Sequence, residues 1–150
     1  FRIAMAGLDG GRLNIAACSL GGAQFCLDRT IAYMKERKQF GARLADFQAL
    51  SFRIADYATD IAAARLLLHR AAVAVTNAEP GATRLAAMAK RLATDTGLDV
   101  VNGCLQLHGG YGYLRDHPIE RVLRDVRVHQ ILEGTNEIMR MIVGRQLLGN

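Results

Sequence analysis

One carboxylate in this sequence is followed at once by a glycine and then by a residue that can cap a helix: Glu133, in the stretch Gln130-Ile131-Leu132-Glu133-Gly134-Thr135-Asn136-Glu137-Ile138. A glutamate in that setting is a candidate base, because the glycine beside it opens unusual backbone conformations and lets a ligand come close. Behind it, Gly134-Thr135 can cap a helix from about Asn136 to Leu148, whose first-turn amides favour negative charge in front of them. The competing reading is a carboxylate that only stabilises the helix through its dipole. Three more groupings invite attention. Gln106-Leu107-His108-Gly109-Gly110-Tyr111-Gly112-Tyr113 is a glycine-rich loop that, taken alone, is also an ordinary way to end a helix. Arg37-Lys38-Gln39-Phe40-Gly41 closes a helix with the cations that its dipole favours. Asp9-Gly10-Gly11-Arg12 has a cap-type aspartate and an arginine that could equally lie on the surface. Arg124, Asp125 and Arg127 read as a solvated helix face.

The elements that must position these residues are helices. Leu13, Ala16, Leu20, Ala23, Leu27, Ile31 and Met34 recur at three-and-four spacing, which predicts a first helix over Arg12 to Lys38. Ahead of it, Leu8 to Gly11 reads as a turn, and Phe1 to Met5 as the end of a strand or linker, so the chain is expected to be cut from something longer. Gly21-Gly22 costs about 1 kcal/mol per glycine, and close approach of a neighbouring helix is the expected compensation. A second helix is predicted from about Asp46 to Asn77, with Phe47, Leu50, Ile54, Ala58, Ile61, Leu68, Ala72 and Val75 on its buried face, ended by Glu79-Pro80-Gly81. A third, about Thr83 to Leu107, carries Leu85, Ala89, Leu92, Val100, Cys104 and Leu107 and stops at His108-Gly109-Gly110. Pro118 opens a short fourth helix to about His129. No strand-like alternation is visible beyond the first few residues. Long helices with short turns bury their stripes most economically as an all-α, up-and-down antiparallel bundle, here with an additional C-terminal helix.

With 150 residues and 51% hydrophobic content, the chain suits one domain with a sizeable core. Its net charge of +5 is dispersed along helical positions and only 6% of residues are aromatic, which argues against nucleic-acid binding. No apolar run of spanning length and no leader is visible, so no membrane contact is expected. Cys18, Cys26 and Cys104 are odd in number and lack CxxC spacing, and are expected to be reduced core thiols. The histidines lack ligand spacing, so no metal is expected.

Glu133-Gly134-Thr135, Gln106-x-x-Gly109-Gly110 and Arg37-Lys38-x-Phe40-Gly41 together resemble the acyl-CoA dehydrogenases, and the resemblance runs along nearly all 150 residues. It implies that residues 1–150 are the C-terminal helical domain of such an enzyme, without its N-terminal and middle domains. It also implies FAD-dependent α,β-dehydrogenation of an acyl-CoA thioester. By resemblance, Glu133 removes the proton alpha to the thioester, and its own amide helps polarise the thioester oxygen. Arg37, Gln39, Phe40, Phe47, Gln48, Gln106, Leu107, His108, Gly109, Gly110, Thr135, Asn136 and Glu137 fall at FAD-contacting positions, Arg37 toward the FAD diphosphate of a neighbouring subunit. Phe47 departs from relatives that carry histidine there. Asp9, Arg12 and Gly134 fall near the acyl-CoA. Some relatives place the base at the position of Gly11, which glycine cannot serve. The stretches Leu8 to Gly21 and Val128 to Gly134 look most like isobutyryl-CoA dehydrogenases, with Leu132 where many straight-chain relatives carry tyrosine, implying a short branched substrate. The implied partners are an electron-transfer flavoprotein as acceptor and further copies of the chain, as tetramer or dimer. The implied location is the cytoplasm of a bacterium or the mitochondrial matrix of a eukaryote. Two rivals remain: an acyl-CoA oxidase using the same base, and a non-catalytic oligomerisation bundle.

Overall fold

The computed structural model describes residues 2–149, and side-chain environments for residues 7–149. Helix α1 (Arg2–Glu36) leads through a two-residue hairpin, β1 (Lys38–Gln39) and β2 (Ala42–Arg43), and a 3-10 turn at Leu44–Asp46 into α2 (Gln48–Thr76). Helix α3 (Ala82–His108) follows, then a second 3-10 turn at Gly109–Tyr113, α4 (Ile119–His129) and α5 (Asn136–Leu148).

Side-chain contacts fix the directions. Asp9 and Thr83, each near the start of its helix, are hydrogen-bonded, and Tyr33 stacks on His108 at the far ends, so α1 and α3 run parallel. Tyr57, early in α2, lies against Gly103, late in α3, so α2 runs the other way. Helix α4 starts beside His108 and ends where Gln130 bonds Asp95, returning along α3. The all-α, up-and-down bundle with a fifth helix is therefore the observed fold. Every other α-helix packs on α3. One core, at the far end, joins Ala23, Cys26, Leu27, Ile61, Val100, Val101, Cys104, Ile119 and Val126. The other joins Ala16, Leu20, Ala64, Leu68, Ala71, Ala89 and Ala93, an alanine-rich seam that lets helix backbones close up.

Several expectations need correction. Residues 2–11 are helical rather than strand and turn. Asp9 is drawn into a bond to Arg12 one turn on and a tertiary bond to Thr83 instead of capping, and nothing then stops the helix from extending backward. In α2 the buried line is Ile61, Ala64, Leu68, Ala71 and Ala74, while Ala58 is exposed and Ala72 and Val75 are half-buried. A helix with alanine and leucine on every side offers too little hydrophobic contrast to fix its rotation. Gly22 does admit a neighbour, since a Cβ there would come 3.1 Å from Val122 and from Val126 of α4, but Gly21 faces open space. Cys18 is exposed rather than in the core, whereas Cys26 and Cys104 are buried as expected. No described helix is long and apolar enough to cross a membrane.

Candidate active site

The turn joining α4 to α5 is closed by its own backbone: the Asn136 amide donates to the Gln130 carbonyl at 3.0 Å. Thr135 caps α5, its hydroxyl accepting from the Ile138 amide at 3.4 Å. Between them, Glu133 takes φ 56° and Gly134 φ 91°. The left-handed conformation suits Gly134 but costs a glutamate about 1 kcal/mol, so surrounding structure must impose it.

That conformation sends the Glu133 side chain across to α1. A Cβ built on Gly11 would lie 2.6 Å from the Glu133 carboxyl carbon, so the carboxylate fits only because Gly11 has no side chain. Beside it, Arg12 is 3% exposed, which rules out a surface role. Its Nη1 donates to Asp9 at 2.7 Å, and Asp9 also accepts from Thr83 at 2.6 Å. Arg12 Nε is buried with no hydrogen-bond partner among the described residues.

The turn is tied to α3 by a network that the sequence reading overlooked. Lys90, fully buried, donates to the Gly134 carbonyl and to Asn136 Oδ1, both at 2.8 Å. Asn136 Nδ2 donates to Asp95 at 2.7 Å and to Thr94 at 2.9 Å. Gln130 Nε2 donates to Asp95 at 2.8 Å. Burial pushes the Lys90 ammonium down to about 8, with the Arg12 charge acting the same way and Asp95, Glu137 and Glu133 opposing. Asn136 was expected to face a cofactor; its side chain instead points inward with both ends engaged, because Lys90 and Asp95 need its two-sided amide. Glu137, by contrast, is exposed at the start of α5. Its own amide, then the Thr135 hydroxyl, hold its carboxyl below the usual range. The sign of Lys90's role lay in its placement: it stands four residues after Ala86 and one after Ala89, on the buried face of α3.

The remaining candidate residues gather at the opposite end. A helix rises roughly 1.5 Å per residue, so Gly11 and Glu36 lie roughly 38 Å apart along α1. There Tyr33, Arg37, Gln39, Leu44, Leu50, Arg53, Gln106, Leu107, His108, Gly109, Gly110, Tyr111 and Leu114 wall an open cavity of about 520 Å³. Arg37 lies over the Tyr111 ring at 5.2 Å, and His108 Nδ1 meets the Cys104 carbonyl at 2.9 Å. Burial lowers His108 from its ordinary value, which favours the neutral ring. Cβ atoms added to Gly109 and Gly110 would meet nothing within 4 Å, leaving their backbone open to a ligand. Arginine, two amides and an open glycine pair are a donor set that an anionic diphosphate fits. Phe40, at the hairpin tip, is 95% exposed with φ 53°, and neither it nor Phe47 nor Gln48 walls the cavity. Arg124 and Arg127 are exposed, as expected of a solvated face. No cluster of potential metal ligands occurs among the described residues.

The chain is similar to known proteins in sequence and in fold. The chain is 51% identical over 147 residues to the mitochondrial isobutyryl-CoA dehydrogenase of Dictyostelium discoideum, covering 98% of this chain and 35% of that protein. It is 47% identical to the caffeyl-CoA reductase-Etf complex subunit CarC of Acetobacterium woodii, covering 99% of this chain and 39% of that protein. Its structure matches butyryl-CoA dehydrogenase from Megasphaera elsdenii with a TM-score of 0.95 at 44% identity, over 99% of this chain and 38% of that one. The chain thus spans little more than a third of the length of these relatives. Residues 1–148 match the family described as acyl-CoA dehydrogenase, C-terminal domain, and with the bundle and these relatives the chain belongs to the acyl-CoA dehydrogenase family.

Proposed function

We propose that this chain is the C-terminal helical domain of a longer acyl-CoA dehydrogenase, supplying the catalytic base and part of the FAD site for α,β-dehydrogenation of a short, branched acyl-CoA. The observation that carries the reading is the Glu133 carboxylate, held by a left-handed turn over a side-chain-free position on α1. In this role Glu133 accepts the proton from the carbon alpha to the thioester, and its main-chain amide donates to the thioester oxygen. Bound FAD would supply the hydride acceptor, so the substrate leaves as the α,β-unsaturated thioester. Arg12, with Asp9 fixing its guanidinium, offers positive charge beside the acyl-CoA.

Arg37, Gln39 and the Gln106 to Gly110 segment would hold an FAD diphosphate, while Phe40, Phe47 and Gln48 at that end, and Thr135 and Glu137 at the Glu133 end, would meet other parts of bound FAD. The roughly 38 Å between the two ends is too far for both to hold the same part of one flavin. Each site is therefore completed by another copy of the chain, in a dimer or tetramer, and by domains outside these residues. Electrons would leave to an electron-transfer flavoprotein, a reading supported by the Etf complex to which the Acetobacterium woodii relative belongs. The mitochondrial relative supports a mitochondrial location in a eukaryote.

Leu132, adjoining Glu133 and 44% exposed, supports the branched substrate: a flexible aliphatic side chain leaves room for an α-methyl group and has no hydroxyl to satisfy. Differences of that size give about 1–3 kcal/mol of discrimination. The test is kcat/KM of the full-length enzyme for isobutyryl-CoA, butyryl-CoA and octanoyl-CoA, with hydrogen peroxide followed in parallel. Preference for isobutyryl-CoA without peroxide is expected. A preference for a straight chain overturns the substrate, and stoichiometric peroxide makes the protein an oxidase.

A further inference from the structure

We infer that Lys90 is a positioning residue that holds Glu133 in its working conformation by clamping the turn on the carboxylate's C-terminal side. This rests on Glu133 being the base. Lys90 is fully buried, yet among the described residues its ammonium has no carboxylate within hydrogen-bond distance; its bonds go to the Gly134 carbonyl and to Asn136 Oδ1, both at 2.8 Å. A lysine with that much desolvation and only neutral acceptors is an expensive way to fill a helix face on which Ala86, Ala89 and Ala93 already pack. The geometry explains what it does there. Gly134 follows directly on Glu133, and both residues are left-handed, at φ 91° and 56°. A carbonyl fixed from α3 therefore sets the peptide plane between Gly134 and Thr135, and so limits the rotation of the left-handed Gly134 that follows the base.

The other anchors of the turn act further out. Asn136 bonds Asp95, and Asp95 accepts from Gln130, which fixes the two ends of the turn, whereas Lys90 alone among the described side chains reaches its interior backbone. Without that bond the glutamate can relax toward ordinary helical or extended backbone, which relieves its left-handed strain and swings its carboxylate away from Gly11. The bond is oriented so that substrate need not touch Lys90 at all.

The test uses the full-length, FAD-loaded protein. Lys90→Met should slow flavin reduction at saturating acyl-CoA by roughly 10- to 100-fold, the scale expected for a misplaced reacting group, while FAD content and the acyl-CoA Kd change by less than about threefold. Lys90→Gln keeps N–H donors on a shorter stem and should retain part of the rate, and it carries the same comparison if Lys90→Met does not fold. Wild-type reduction rates in both variants would overturn the proposal. So would parallel loss of FAD and acyl-CoA binding in both, since the lysine would then hold the domain together rather than the base. Glu133→Gln, run alongside, separates the two readings: a fast Glu133→Gln protein removes the base assignment itself, whereas a dead Glu133→Gln with fast Lys90 variants removes only the clamp.

Discussion

The Glu133 carboxylate occupies the space that a side chain on Gly11 would fill, with its carboxyl carbon 2.6 Å from where a Cβ would stand. The base and a glycine near the start of α1 are thus one steric unit, although they lie at opposite ends of the sequence. Gly10 and Gly11 weaken α1 by about 1 kcal/mol each relative to alanine, and at Gly11 that cost makes room for the carboxylate.

Gly11→Ala should therefore separate stability from catalysis. The helix gains about 1 kcal/mol of propensity, while the methyl group pushes the carboxylate aside by an amount that costs on the order of 100-fold in rate. Stopped-flow flavin bleaching and a thermal melt on the full-length protein measure both. A variant that reduces flavin as fast as wild type would contradict the contact.

Phe40 combines a left-handed backbone with a fully presented aromatic ring. Phe40→Gly should stabilise the hairpin tip by about 1 kcal/mol, since glycine adopts that conformation without strain. It should also weaken FAD retention, read as the flavin-to-protein ratio after gel filtration. Unchanged retention would take Phe40 out of the cofactor site.

The sequence carried the helices and their directions because long stripes and short turns leave few alternatives; Leu20, Leu27, Val100 and Cys104 are buried as their spacing requires. Glu133, Gly134 and Thr135 were equally legible, since a glycine and a cap residue mark a helix start. The rotation of α2 was not, for want of polar contrast along its alanine-rich faces. Nor was the start of α1, where Asp9 looks like a cap until Arg12 and Thr83 are seen to hold it. Lys90 and the inward turn of Asn136 were hidden for a different reason: a polar residue on a buried face announces a partner but not which one, and its partners lie 44 and 46 positions away.

Lys90 also makes stability depend on alkali. Its proton is held to about pH 8 in the fold but to about 10.5 in a solvated lysine, so across that window the unfolded chain binds more protons. Stability should then rise with pH from about 8 to about 10.5, and below about pH 8, where both states are charged, the desolvation cost is fully present. Lys90→Met abolishes this dependence. Urea melts of wild type and Lys90→Met at about pH 8 and about pH 10 should show the difference moving in favour of wild type at the higher pH. Movement the other way would contradict the burial of this charge.

The most direct measurement is the rate of flavin bleaching by acyl-CoA in full-length Glu133→Gln under anaerobic conditions. The amide is close in shape to the carboxylate but cannot take the α-proton, so FAD content and acyl-CoA binding should persist while reduction falls by at least about 100-fold, the scale of a general base. Flavin reduced at a rate near wild type would contradict the assignment of Glu133 and place the base on another residue.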